Sequence, residues 1–116
     1  MANNFANVEH FADRNVDGLA YMKDVLANVM GANTKSEKAE EFGSFSMAAI
    51  KAIGRKAFGA IPLFRTKPQV NGIMTFQVFF NDFAEANNLN IRLRTTGVWD
   101  EATLNAFTMM VEKYKA

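Results

Sequence analysis

The sequence predicts an all-α protein. Apolar side chains recur at intervals of three and four residues in several segments, which is the spacing of one helix face. Residues suited to ending or capping a helix, such as Gly31 and Asp100, stand at the borders of these segments. The chain has 116 residues, 49% of them hydrophobic, which is enough to bury one core. We therefore expect a single domain over residues 1–116, with no sheet of three or more strands.

Three helices are expected in the N-terminal region, residues 1–60. The first covers residues 19–30 and ends at the glycine that follows. Its apolar face consists of Leu19, Met22, Val25, Leu26, Val29 and Met30. Thr34 followed by Glu37 fits a capping box, which predicts a second, short helix over residues 35–42.

The third helix is expected over residues 45–59, with Ser44 as its cap. Its apolar face consists of Met47, Ile50, Ile53 and Ala57. In residues 47–64, small and apolar residues interspersed with basic side chains could place the segment in a membrane interface. We favour packing on the C-terminal half of the chain, because the polar face is narrow and no second membrane signal occurs.

The C-terminal half is expected to begin after an extended connection between Pro62 and Pro68. One helix is predicted over residues 74–87 and a last one over residues 100–114, capped by Asp100. Their apolar faces consist of Ile73, Phe76, Phe80 and Phe83, and of Leu104, Phe107, Val111 and Tyr114. A short extended stretch is expected between these two helices.

Trp99 stands directly before the Asp100 cap, and Leu104 is the fourth residue of the last helix. This is the spacing of a hydrophobic staple, in which the two side chains pack together and fix the path of the chain into the helix. We therefore expect Trp99 to pack inward. Display of its ring to a partner is the alternative.

Composition narrows the classes of function. Thirteen basic and twelve acidic side chains give a net charge of +1, far from the basic excess typical of nucleic-acid binders. The chain has no cysteine, so neither disulfides nor thiolate metal sites can form. The N-terminal sequence lacks the pattern of a signal peptide, and no apolar run of about 18 residues is present to span a bilayer. We expect a product made in the cytoplasm, with no nucleic-acid partner and no membrane span.

Catalytic and metal-binding patterns are sparse. Glu9, His10 and Asp13 could share a helix face, but one histidine without cysteine does not complete a common zinc site. Neighbouring carboxylates, as in Asp100–Glu101, point apart on a helix. The motifs G-x-S-x-G, P-loop and H-E-x-x-H do not occur. We expect a non-catalytic protein with no metal or cofactor.

Two motifs carry a resemblance to a known family. Ile73, Phe76, Gln77 and Phe80 match the pattern V-x-x-L-Q-x-x-L. About twenty residues later, Gly97, Trp99, Thr103 and Ala106 match D-G-x-F-G-x-x-T-x-x-A-V. In this order and spacing, the pair resembles the small three-helix peptidoglycan-binding domain of cell-wall hydrolases and of phage lysis and tail proteins, over roughly residues 70–115.

The resemblance implies structural roles for the matched residues. Gln77 would tie the first helix of the module to the loop by hydrogen bonds, and Gly97 would form the turn. Thr103 and Ala106 would pack the last helix. The sequence departs from the family pattern at Thr96, where aspartate is usual, and at Asp100, where glycine is usual. It also departs at Met110–Val111, where phenylalanine and glutamine are usual.

A ligand site would then lie on the loop. Arg92 and Arg94 offer charge-assisted donors for the carboxylates of stem peptides, Thr95 and Thr96 offer hydroxyls, and Trp99 offers an aromatic face for sugar. The alternative is that the arginines belong to an ordinary solvated edge.

The function implied by the resemblance is binding of peptidoglycan without cleavage. Without a signal peptide or a hydrolase domain, such a module could reach the cell wall inside a phage particle, as a tail or internal virion protein. The alternative is a structural adaptor that contacts other virion proteins and keeps the fold without glycan binding. The departures at Thr96 and Asp100 favour this alternative.

Overall fold

The computed structural model describes residues 11–38, 41–60, 69 and 71–116, and for residues 11–14 it describes the backbone only. Within these ranges the chain forms four α-helices and no strand, in agreement with the predicted all-α class. The helices are α1 (Phe11–Met30), α2 (Ser44–Phe58), α3 (Gly72–Ala86) and α4 (Glu101–Lys115). The connection predicted between Pro62 and Pro68 lies outside the described residues.

The first helix is longer than predicted. The predicted range 19–30 lies within α1, which is helical from the first described residue, Phe11. Contacts distant in sequence explain the added turns, since the Asn15 side chain accepts a hydrogen bond from the backbone of Trp99 at 2.6 Å. Hydrophobic periodicity in α1 alone does not contain this information.

The predicted second helix, residues 35–42, is wrong. The described residues of this range, 35–38 and 41–42, contain no α-helix: a 3-10 turn covers Thr34–Ser36, and Glu37 after it has an extended backbone. The Thr34 hydroxyl does not cap this turn but donates to the Lys23 carbonyl at 3.3 Å. Glu37 therefore does not complete a capping box. Its carboxylate instead accepts hydrogen bonds at the start of another helix.

That helix is α2, whose predicted cap is also corrected. Ser44 is the first helical residue, and Gly43 before it makes no side-chain cap. Instead the Glu37 carboxylate accepts hydrogen bonds from the Ser46 hydroxyl at 2.6 Å, the Ser46 backbone at 2.9 Å and the Gly43 backbone at 3.2 Å. A carboxylate in this place satisfies amides that a helix leaves unpaired and interacts favourably with the helix dipole.

The apolar face of α2 packs inside the molecule. Ile50 and Ile53 are fully buried, Met47 is partly buried against the same core, and α2 contacts both α3 and α4. This is the packing expected for the described part of the segment, whose last residues, 61–64, lie outside the description. No helix among the described residues is long and apolar enough to cross a membrane.

The two C-terminal helices begin and end close to the predicted positions. The Asn71 side chain caps α3 by accepting from the Met74 backbone at 3.0 Å. Beyond its last residue, Asn88 adopts a φ of 56°, and the Leu89 amide donates back to the Ala84 carbonyl at 2.8 Å. This is the left-handed helix end that asparagine tolerates.

The cap predicted for α4 is confirmed. Asp100 accepts from the Thr103 backbone at 2.8 Å and from the Thr103 hydroxyl at 2.6 Å.

The core contains side chains from all four helices and from the connection between α3 and α4. Phe76 is fully buried in this core, and its ring contacts the rings of Phe80 and Phe107. The largest fully buried side chains are Trp99, Phe76, Phe79, Phe80, Phe83, Phe107, Met22, Leu26, Ile50, Ile53, Ile73 and Leu104.

Candidate functional site

Residues 89–99 lie between α3 and α4 and contain all five predicted ligand-binding residues, and we call this segment the loop. Its first fixed point is Leu93, which is buried among exposed neighbours. The Asn81 side chain on α3 accepts from the Leu93 amide at 2.7 Å and donates to the Leu93 carbonyl at 2.9 Å. One side-chain amide thus pairs with both backbone groups of Leu93, as a neighbouring strand would.

Gln77 supplies the second fixed point. Its side chain is fully buried, accepts from the Gly97 amide at 2.9 Å, and donates to the Val98 carbonyl at 3.1 Å. It also donates to the Thr103 hydroxyl at 2.9 Å, which connects the loop to α4. The hydrogen bonds that the resemblance implies for Gln77 are therefore present.

Gly97 forms the turn of the loop. Its φ is +76°, a conformation that costs residues with a Cβ about 1 kcal/mol or more. Thr96 before it accepts from the Val98 amide through its hydroxyl at 3.1 Å. Threonine thus provides the local side-chain bond that aspartate commonly makes in such turns.

Trp99 is not a displayed ring. Its side chain is fully buried, and its ring makes an edge contact with Tyr21 at a centroid distance of 6.3 Å. A Cβ at Gly18 would overlap the indole, so α1 approaches the ring closely at this glycine. Trp99 and Leu104 belong to one core, and Trp99 is removed from the set of candidate ligand-binding side chains.

The other four predicted ligand-binding residues are exposed: Arg92, Arg94, Thr95 and Thr96. The Nη1 atom of Arg92 donates to the carbonyls of Leu89 at 2.8 Å and Ile91 at 2.9 Å. These bonds fix the direction of the guanidinium and use part of its donor capacity. Arg94 lies on the solvent side of the loop, with Leu93 buried between the two arginines.

A surface groove lies between the loop and α4. Its volume is about 220 Å³ and its lining atoms are mostly apolar. The side chains along it are Ile91, Arg92, Leu93, Ala102, Asn105, Ala106 and Met109. The four from α4 follow the helical spacing of one face. Exposed Ile91, at 39% of its full exposure, stands at the edge of this groove. We call it the loop groove.

A second cleft, of about 190 Å³, lies between α1 and α4. Its walls include Tyr21, Val25, Phe107 and Thr108. None of the residues predicted to bind ligand lies along it. Of these two cavities, the loop groove is the one that coincides with a predicted site.

The carboxylate and histidine set near the N-terminus does not enter this site. Glu9 and His10 lie outside the described residues, as does the side chain of Asp13. Among the residues whose side chains are described, no group of three or more acidic or histidine residues is placed to hold a metal ion.

The geometry includes residues that the sequence interpretation missed. Sequence analysis did not single out Asn81, which fixes the loop. It also did not predict the loop groove beside Arg92. Neither feature has a local sequence signal. The nearest hint for Asn81 is its position one turn after Gln77 on the same side of α3. Comparison with protein-family models, with curated proteins and with solved structures found no match.

Proposed function

We propose that this protein binds bacterial peptidoglycan without cleaving it, through the loop and the loop groove. The observation that carries the proposal is the bonding of the loop to α3 by Asn81 and Gln77. These side chains fix the backbone on both sides of Arg94, so its cation is presented from a preorganised segment. Preorganisation lowers the entropy cost of binding.

The sequence resemblance and the site chemistry support the same ligand. The matched motifs include Gln77, Gly97 and Thr103, which form one connected set of hydrogen bonds at the loop. Two arginines at the solvent side of this loop are suited to carboxylates, which stem peptides carry. No group in this arrangement is assigned a catalytic step, so the proposal is for a binding module.

The setting we propose is a phage particle that acts at the bacterial cell wall. It follows from the resemblance, because modules of this kind occur in phage tail and lysis proteins. Its partners would then be peptidoglycan and other virion proteins. Detection of the chain in purified particles by mass spectrometry would support this setting, and its absence from them would contradict it.

Co-sedimentation tests the binding proposal. Purified protein is mixed with insoluble peptidoglycan, and the bound fraction is measured against total peptidoglycan. Insoluble cellulose is the matched control, because it is a glycan polymer without stem peptides. We expect saturable binding to peptidoglycan only. Equal recovery on both polymers, or recovery on neither, would contradict the proposal.

A structural adaptor is the second candidate, and two observations favour it. Trp99 is buried, and the Nη1 donors of Arg92 are used within the loop. Both residues therefore have structural roles that an adaptor without glycan binding would also need. Absence of peptidoglycan binding together with recovery in assembled particles would select this candidate.

A further inference from the structure

Peptidoglycan has two chemical parts, its sugar strands and its stem peptides, and the lining of the loop groove can be compared with the chemistry of each. Sugar rings carry many hydroxyl groups, and a hydroxyl that is buried without a hydrogen bond costs about 1–3 kcal/mol. Asn105 is the one uncharged polar side chain among those that line the groove, and none of them is aromatic. With Trp99 buried, the loop presents no aromatic face to a sugar.

Small apolar groups fit this lining better. Ala102 and Ala106 leave open space along α4, while Ile91, Leu93 and Met109 provide apolar walls. Side chains as small as methyl groups can be buried there, at about 25 cal/mol for each Å² of apolar surface removed from water. Alanine-rich peptides present such groups.

The positive charge of Arg92 at the edge of the groove indicates which charged group the ligand carries. Arg92 lines the groove, and its guanidinium is oriented by the Leu89 and Ile91 carbonyls. Five N–H groups belong to a guanidinium, so donors remain beyond those on Nη1. Glu101 precedes Ala102 on α4 but is not among the lining residues. A carboxylate is the complementary ligand group.

We infer that the loop groove binds the stem peptide of peptidoglycan, with small apolar side chains along α4 and a free carboxylate at Arg92. The inference rests on the proposed function and makes it more specific. The sugar strand then contributes little to affinity and serves to hold many stem peptides on one insoluble polymer.

Removal of stem peptides separates this inference from the proposed function. Peptidoglycan is treated with an amidase that releases the peptides, and sedimentation with the remaining glycan is compared with that on intact polymer. We expect binding to intact polymer and its loss on stripped glycan. Equal binding to both would overturn the inference and leave the proposed function in place. Binding to neither would overturn both.

Substitution of Ala102 tests the groove directly. Ala102 is exposed and lies in the first turn of α4, where glutamate is favourable to the helix dipole, so Ala102→Glu should fold. We expect it to weaken binding about tenfold or more, because a like charge opposes the ligand carboxylate. Ala102→Gln has similar size without charge and should weaken binding less.

Comparison of Ala102→Glu with Ala102→Gln also shows which part of the inference is wrong if the expected result is not obtained. Equal weakening by glutamine and glutamate would overturn the carboxylate part of the inference, because size alone would explain it. Unchanged binding in both variants would overturn the assignment of the groove. Far-ultraviolet circular dichroism and thermal unfolding of each variant establish that it is folded before binding is measured.

Discussion

Trp99 connects the first helix to the C-terminal half of the chain. Its backbone amide donates to the Asn15 side chain, and its ring packs against Gly18 and Tyr21 of α1. The ring is fully buried. Trp99 is thus part of a motif of the C-terminal half and also packs against the N-terminal region.

Removal of this ring should cost stability. We predict that Trp99→Ala lowers the free energy of unfolding by about 3–5 kcal/mol, the usual cost of deleting a large buried aromatic side chain. Urea denaturation followed by circular dichroism measures the change. Peptidoglycan binding by the folded fraction should be unaffected. A variant of unchanged stability that no longer sediments would contradict the buried role.

Gly18 provides a matched test of the same contact. Gly18→Ala adds a methyl group where the indole lies, and overpacking of this kind costs about 1–3 kcal/mol. In the Trp99→Ala background the space is vacant, so the same substitution should cost less. Equal costs in both backgrounds would show that the two residues are not in contact.

Gln77 is a second residue with a measurable structural role. Gln77→Leu would leave the buried Gly97 amide without its partner, while the Val98 carbonyl would keep its hydrogen bond from the Asp100 amide. We predict a loss of about 1–3 kcal/mol for the amide left unsatisfied. Faster hydrogen exchange at the Gly97 amide, measured by NMR, should accompany it. Unchanged stability and protection would contradict the proposed fixing of the loop.

At the scale of elements, Glu37 makes the start of α2 sensitive to pH. Burial acts to raise the pKa of its carboxyl, but hydrogen bonds from Ser46, Gly43 and Phe45 together outweigh burial and lower that pKa below its ordinary value of 4.5. The unfolded chain therefore binds more protons near this pH, and stability rises with pH. The contribution is complete above pH 4.5 and is lost as the pH falls through the folded pKa.

Glu37→Gln tests this dependence. At neutral pH we predict that the variant is less stable by about 1 kcal/mol, a typical cost for a lost helix cap. The difference in Tm between wild type and variant should shrink as the pH is lowered below 4.5, because the wild-type carboxylate is then protonated. A difference that stays constant with pH would contradict the assignment.

Helices with a strong apolar period could be predicted from the sequence, and so could the Asp100 cap. These features depend on residues that are close together in the chain. The same local reasoning failed at Glu37, where a capping-box spacing with Thr34 is present but the carboxylate binds amides further along the chain. Three hydrogen bonds at α2 outweigh the one that a local box would provide.

The candidate site was predictable only in part. Arg92 and Arg94 are exposed and Leu93 between them is buried, as expected for a short extended stretch in which successive side chains point to opposite faces. The loop groove depends on how the loop lies against α4, and the pairing of Asn81 with Leu93 sets that position. Such a contact between distant residues leaves no spacing pattern in the sequence.

At the scale of the whole molecule, the described helices share one core, which predicts a single unfolding transition. Trp99 is the one tryptophan of the chain and lies where α1 meets the C-terminal half. Its fluorescence and the far-ultraviolet circular dichroism should therefore report coincident urea transitions. Separate midpoints would indicate two independently folding units and contradict a single domain.

Peptidoglycan binding at the loop, as proposed above, can be tested with a single exposed side chain. Arg94 tests it most directly, because it is exposed and makes no hydrogen bond with the described residues that its loss would disturb. Arg55 on α2 is the matched control, an exposed arginine that does not line the loop groove.

The measurement is the affinity for intact peptidoglycan, by co-sedimentation, of wild type, Arg94→Ala and Arg55→Ala at equal salt concentration. We predict that Arg94→Ala binds about tenfold more weakly, the loss expected for one charge-assisted hydrogen bond of about 1.4 kcal/mol, with unchanged Tm. Arg55→Ala should bind like wild type. Binding that is unchanged in Arg94→Ala, or weakened equally by both substitutions, would contradict the claim.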